Sequence, residues 1–491
     1  MSQVPERLDV LIVGAGLSGI DAAYRIQTSL PAKSFAILEG RESLGGTWDL
    51  FRYPGIRSDS DMFTLGFPFR PWKDAKAIAD GSSILQYLKD TAREFGIDRK
   101  IRYGLKVTRA SWSSRDALWT VEAEGSGGRR ETVECRFLYM CSGYYDYDEG
   151  YTPSWNGVDR FKGRLVHPQK WPKDLDCLGK RVVVIGSGAT AVTLVPSLAQ
   201  EAAKVTMLQR SPTYIVSIPA KDAVADFLRA ILPAALAHWL VRWKNILLGL
   251  LFYNLARWRP DQTRKKILEM VRRELGPGYD ADQHFSPRYN PWDQRLCIVP
   301  DSDLFRAIKA GKVEVATDEI ETFTEDGLRL KSGRDLAADI IVTATGLKLK
   351  MLGGMKILID GAAPDLGRTL TYKGAMYSDI PNFASAFGYT NASWTLKSDL
   401  TAGFVCRVLA HMDERALDFC VPRKRDAEVE ERPLVDFSSG YFKRAGDSLP
   451  KQGSKKPWRL HQNYALDTLA LKFGAIEDGA LEFGRAATSR R

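Results

Sequence analysis

Twice in this chain an apolar strand runs into a glycine turn and directly on into a helix, and this repetition restricts the fold more than any other feature. Residues 8–26, LDVLIVGAGLSGIDAAYRI, place Gly14, Gly16 and Gly19 at the spacing G-x-G-x-x-G, with Ser18 in the first helical turn. The first glycine permits the tight turn, the second leaves room for a pyrophosphate against the backbone, and the third lets the helix pack closely on the strand. The free N–H groups and partial positive charge of the helix start then face an anion. The next strand, SFAILE, ends in Glu39, an acid placed to accept both hydroxyls of an adenosine ribose. Strand, turn, helix and acid together predict a dinucleotide-binding unit.

The second unit is RVVVIGSGATAV, residues 181–192. Gly186, Ser187, Gly188, Ala189 and Thr190 form its turn and helix start, and Ala191 in the third place still permits close packing. Its second strand, KVTMLQRSP, ends in Gln209, Arg210 and Ser211. No carboxylate repels a phosphate at the ribose 2′ position there, while Arg210 offers a forked cation and Ser211 a hydroxyl. The competing reading is that Arg210 is a solvated surface charge. The first site thus suits FAD and the second NADPH.

Apolar strands running into glycine close each unit, FLYMCSGYY (137–145) and DIIVTATGLK (339–348). The first unit is incomplete at that point, so the C-terminal part is expected to return to it. IPNFASAFGYTNASWTL and then KSDLTAGFVCRVLAHM (397–412) supply a strand, a polar turn and a helix whose N-terminus would face the flavin pyrimidine. The fold class expected is α/β with two Rossmann-like domains. A discontinuous FAD domain (1–150 and 346–491) surrounds an NADPH domain (151–217 and 290–345) that carries a helical insertion, 218–289.

A chain of 491 residues exceeds one core. The net charge of +10 suits anionic small molecules or a weak pull toward acidic surfaces. The basic residues are scattered and no nucleic-acid module is present, which argues against nucleic-acid binding. Six cysteines without a C-x-x-C or a paired C/H spacing argue against structural zinc and a redox dithiol. They read as reduced, mostly buried thiols. With no signal core at MSQVPERLDV and no apolar run long enough to span a bilayer, a cytoplasmic enzyme is expected.

The stretch 218–275 is rich in Leu, Trp and Arg, and its longest uncharged run is Asn245–Ala256. One reading packs it over the NADPH unit as the lining of a substrate entrance. The other docks it on an anionic membrane surface, leaving the enzyme peripheral to the inner face; full recovery in the soluble fraction at low salt would count against that.

Without a dithiol, a reduced flavin either leaks electrons or holds oxygen as a peroxide. Two stretches bear on the choice. GGTWDLFRYPGIRSDSD (45–61) carries Gly-Gly-x-Trp, Tyr-Pro-Gly and Asp59, and FKGRLVHPQKWP (161–172) fits F-x-G-x-x-x-H-x-x-x-W-P with His167 at its centre. On these motifs the chain resembles the type I Baeyer–Villiger monooxygenases, from about residue 8 to about residue 465. The resemblance implies an NADPH- and dioxygen-consuming enzyme that forms a C4a-peroxyflavin and converts ketones to esters, with oxidation of sulfur in thioethers and thioamides. It implies that Arg295, in YNPWDQRLCIVP, is the catalytic cation and that Asp59 holds it. It assigns Gly46, Thr47, Trp48, Arg57, Asp59 and Val107 to cofactor binding, and Trp458 to a loop closing over the nicotinamide. His167 would couple cofactor binding to domain orientation. Gln294 stands where many members carry lysine, which weakens the case for NADPH selectivity. The rival readings are a heteroatom-only flavin monooxygenase, an NADPH oxidase releasing hydrogen peroxide, and a dinucleotide-responsive binding protein.

Overall fold

The computed structural model describes residues 5–435, 437 and 439–487. Strand Glu6–Val13 pairs in parallel with Phe35–Leu38 on one side and with Arg130–Met140 on the other. Its Val10, Leu11 and Ile12 are fully buried, because a parallel strand in this position is covered on both faces. Each such aliphatic side chain contributes about 1.5–3 kcal/mol by leaving water. Helices Leu17–Ser29 and Trp394–Glu414 pack against each other as part of this domain's core, and Arg25 reaches across to Asp399 at 2.5 Å. A separate core holds an antiparallel extension through Leu118–Glu124 and Lys106–Ser113, filled by Trp112 and Trp119. Strand Phe383–Ser385 pairs with residues 138–140, so the far end of the chain does complete the first sheet.

The second sheet has five strands, all parallel, in the order Val313–Thr317, Lys204–Gln209, Arg181–Ile185, Ile340–Thr343, Arg164–Val166. Its helix Ala189–Leu198 buries Ala191, Val192, Leu194 and Val195. The chain leaves the first sheet through Tyr145–Gly150 and returns through Leu347–Leu349, and these two crossings pair antiparallel. His167 lies against this junction. Its Nδ1 accepts from the Gln169 amide at 3.2 Å, and Gln169 Nε2 donates to the Asp146 carbonyl at 2.7 Å. A Cβ at Gly150 would stand 1.9 Å from the His167 ring, so the contact requires glycine.

The insertion forms helices Ala223–Ile231, Ala234–Trp258, Pro260–Leu275 and Ala281–Phe285. Only the last two pack on the second sheet, through Val271, Leu275 and Phe285. The expectation that the whole insertion covers the NADPH unit is corrected for the first two, which lie on the first domain. There Arg242 Nη1 donates to the carbonyls of Phe63 at 2.7 Å and Gly66 at 2.9 Å. These carbonyls lie around the short helix Met62–Leu65, and a buried guanidinium needs acceptors of this kind. Near the C-terminus, Leu481–Gly484 pairs antiparallel with Phe419–Pro422, within the polar stretch EDGALEFGRAATSRR. Its last residues, 488–491, lie outside the described residues. All six cysteines are buried free thiols.

His238, on the 234–258 helix, has both ring nitrogens buried without a hydrogen-bond partner. Burial, with the nearby charges of Arg242 and Arg229, pushes its pKa down to about 4. The unfolded chain, with histidine near 6.5, therefore binds more protons than the folded one between these values, and stability falls as pH drops through that window. Replacement His238→Asn is expected to flatten the loss of thermal midpoint between pH 6.5 and 4 while leaving the midpoint near pH 8 little changed, as read by differential scanning fluorimetry.

Candidate active site between the two glycine turns

The carboxyl ends of the two sheets open into one cavity of about 820 Å³. Gly14 turns at φ +103°, and a Cβ there would meet the Cys141 carbonyl oxygen at 2.6 Å. A Cβ at Gly19 would stand 1.8 Å from the Gly14 carbonyl. Gly186 repeats the arrangement at φ +135°, with the Ala344 oxygen 2.3 Å away. Each turn is thus held against the strand that closes its own unit, and Gly16 and Gly188 then cap helices without any side-chain partner. Their first N–H groups are left for an anion.

Around the first turn, both Glu39 oxygens accept from backbone, Oε2 from Ala15 N at 2.7 Å and Oε1 from Arg41 N at 2.9 Å. Burial raises its pKa against the pull of these bonds, and the carboxylate is fixed in place with lone pairs to spare. Gly46, at φ +54°, approaches Gly16 so closely that a Cβ would sit 3.2 Å from its Cα. Gly46, Thr47, Trp48 and Val107 all line the cavity, as do Arg57 and Asp59. Ser18 accepts from Trp394 Nε1 at 2.8 Å. This ties the returning helix Trp394–Glu414, whose first residue lines the cavity, to the helix of the first turn.

Around the second turn, Ser187 Oγ lies 2.9 Å from Thr213 Oγ1, and Ala189 and Thr190 face the same space. Arg210 and Ser211 are exposed and line the cavity. Gln209 turns away, donating to the His284 carbonyl at 2.7 Å and to Thr317 at 2.8 Å.

Between the turns stands Arg295. Its Nε is 2.7 Å from Asp59 Oδ2 and its Nη2 3.0 Å from Oδ1, a two-pronged pair. Burial disfavours its charge, but the Asp59 carboxylate beside it holds its pKa above the usual arginine range. One third of the side chain remains exposed (33%), at the cavity wall. Arg57, assigned to cofactor binding, spends its guanidinium on Asp303, a residue of the second domain's helix Asp303–Lys309. Trp458 does not reach the site. It is 3% exposed, packed in the first domain's core 5.7 Å from the Tyr372 ring, because a large apolar ring finds more cover there than at a solvated rim. No residue of 218–289 lines the cavity itself.

Tyr441, Thr213 and Asp303 were not singled out from the sequence. Tyr441 comes from helix Gly440–Ala445, in a segment with no motif, and only the chain's return brings it to Arg295. The residues present fit a flavin dinucleotide in the first cradle. A side chain at Gly14 would overlap the backbone, the helix start carries no competing cap, and a fixed acid stands at the end of the second strand.

Residues 60–351 match the model of the family described as flavin-binding monooxygenase-like, and residues 12–80 match that of an NAD(P)-binding Rossmann-like domain. The chain belongs to the flavin-binding monooxygenase-like family. Among individual proteins, it is 56% identical over 481 residues to the FAD-containing monooxygenase EthA of Mycobacterium tuberculosis, covering 98% of both chains. It is 53% identical to EthA of Mycolicibacterium smegmatis, covering 99% of both. The structure of cyclohexanone monooxygenase from Rhodococcus sp. Phi1 bound to NADP+ shares the fold at a TM-score of 0.77, with 20% identity over 98% of this chain and 100% of that one.

A positive φ costs an L-residue roughly 1–3 kcal/mol, before any overlap. Gly14→Ala is expected to purify without the yellow flavin absorbance. Gly186→Ala is expected to keep that absorbance and lose binding of NADP+, measured by titration calorimetry.

Proposed function

We propose that the chain is a Baeyer–Villiger monooxygenase that inserts one atom of dioxygen beside a ketone carbonyl to give an ester, and that also oxidises sulfur in thioethers and thioamides. FAD occupies the first cradle and NADPH the second, as the FAD-containing EthA relatives and the NADP+-bound cyclohexanone monooxygenase support. The observation that carries the reading is Arg295, clamped by Asp59 in the cavity between the two glycine turns.

Bound there, the flavin supplies passage of electrons from NADPH to dioxygen. The chain supplies the surroundings. Gly14, Gly16 and the helix start hold the pyrophosphate, and Glu39 accepts the ribose hydroxyls. Arg210 and Ser211 meet the 2′-phosphate. Arg295 presents a positive charge that does not titrate at any working pH, where negative charge builds on oxygen during attack at a carbonyl. Asp59 keeps that guanidinium from swinging away. Tyr144, Tyr145 and Tyr441 stay protonated, since burial raises the pKa of each. Their hydroxyls therefore add no competing charge. A heteroatom-only oxygenase would make less use of a permanent cation held this way.

Arg295→Ala is expected to take up hydride from NADPH, seen as flavin bleaching without air, but to lower ester formation from a sulfur-free linear ketone by at least about 100-fold. Mass spectrometry of the products decides the matter. Normal ester from the variant removes Arg295 from the mechanism. Hydrogen peroxide without ester from the wild-type enzyme moves the reading to an oxidase or a heteroatom oxygenase. Arg210→Ala is expected to raise the KM for NADPH about tenfold with little change for NADH, since loss of one charge-assisted contact is worth about 1.4 kcal/mol or more.

A further inference from the structure

The first two helices of the insertion carry an outer face that nothing in the chain covers. Helix Ala234–Trp258 turns Ala237, Val241 and Ile246 inward, and it turns Leu247, Leu248, Leu251, Phe252, Leu255 and Trp258 outward. Leu251 is 62% exposed and Trp258 72%. Helix Ala223–Ile231 adds Phe227 and Ile231. The C-terminal helical segment beginning at Tyr464 joins the same region, its Tyr464 ring 5.7 Å from Trp243. That segment exposes Leu466, Leu469 and Phe473. Among the described residues, the only large exposed apolar side chains outside these segments are Leu165 and Leu178. Exposed apolar surface is ordinary when scattered, but gathered on one side it marks a contact.

The charge around this face indicates the partner. Residues 218–275 contain eleven Lys and Arg against five Asp and Glu. Arg242 is buried on backbone carbonyls, and Lys244, Arg257 and Arg272 pair with Asp222, Asp293 and Asp282. Lys221, Arg259, Lys265, Lys266 and Arg273 are exposed to solvent. Arg259 stands over the Trp258 ring at 4.4 Å, and Lys265 and Lys266 are exposed on the following helix. A tryptophan with an arginine beside it suits the boundary between acyl chains and anionic headgroups. A protein partner of the same size would need acidic residues placed against each cation, whereas a bilayer surface supplies negative charge without register. No helix among the described residues is long and apolar enough to cross a membrane, so the contact is superficial.

We propose that helices 223–231 and 234–258, with the 464–473 segment, form a docking surface for an anionic lipid bilayer, the apolar face entering the headgroup boundary and the flanking cations meeting lipid phosphates. The contact is independent of the reaction assigned above, because none of its apolar residues lines the cavity.

The test is co-sedimentation of the flavin-loaded enzyme with vesicles of phosphatidylcholine alone or in equal parts with phosphatidylglycerol. The wild type is expected to partition at least about tenfold more strongly to the anionic vesicles at low salt, and to be released by high salt. Leu248→Glu with Leu251→Glu, both at exposed positions, is expected to lower that partitioning at least about tenfold, with vesicle-free NADPH oxidation unchanged. Lys265→Ala with Lys266→Ala is expected to narrow the preference for anionic over neutral vesicles. Wild-type enzyme that stays in the supernatant with anionic vesicles overturns the proposal. So does a double glutamate variant that sediments like wild type. Self-association in solution, abolished by the glutamates and without vesicle binding, would assign the face to a second copy instead.

Discussion

The pairing of Asp59 with Arg295 holds this molecule in its working arrangement. Asp59 follows the Gly-Gly-x-Trp turn of the first domain, and Arg295 precedes strand Cys297–Pro300, which packs against the second. The bidentate geometry therefore fixes a side chain and also spans a boundary. Arg57 and Asp303 span it a second time. Both pairs lie beside the cavity that the two glycine turns share. Without the carboxylate, a largely buried guanidinium would have to find other acceptors or draw in water.

Other polar groups of the cavity wall are also held by hydrogen bonds. Glu39 is held by two backbone amides, Ser18 by Trp394 and Ser187 by Thr213. Each group that would meet a cofactor is oriented by a neighbour that does not. Arg210 and Ser211 are the exception, exposed at the margin.

Much of this was legible in the chain alone, for a physical reason. Glycine turns, the acid after the second strand and the long motif around Asp59 encode local backbone demands, and local demands leave spacing in a sequence. Gly14 and Gly186 are examples: at each, a Cβ would overlap a carbonyl of the strand that closes the unit. What stayed hidden depends on contacts between distant segments. Tyr441 reaches Arg295 from a stretch without periodicity, and Asp303 meets Arg57 across 246 residues. Trp458 shows the opposite error. The resemblance assigned it to a loop over the nicotinamide, yet here its ring is covered by Tyr372 and the core around it. The insertion misled in the same way, since a helical pattern gives the buried face but not the domain that buries it. Arg242 settled that by finding the carbonyls of Phe63 and Gly66.

The 464–473 segment has an inner side as well as the outer one. Asp467, on its first helix, accepts from the Tyr389 hydroxyl at 2.7 Å and pairs with Lys397 Nζ at 3.1 Å. Tyr389 stands in the cavity wall, and Lys397 lies in the first turn of the helix that begins there with Trp394. The segment thus exposes apolar side chains on one side and meets the chamber wall on the other. Asp467 therefore joins a surface helix to a residue of the cavity wall through a buried ion pair and a hydroxyl contact.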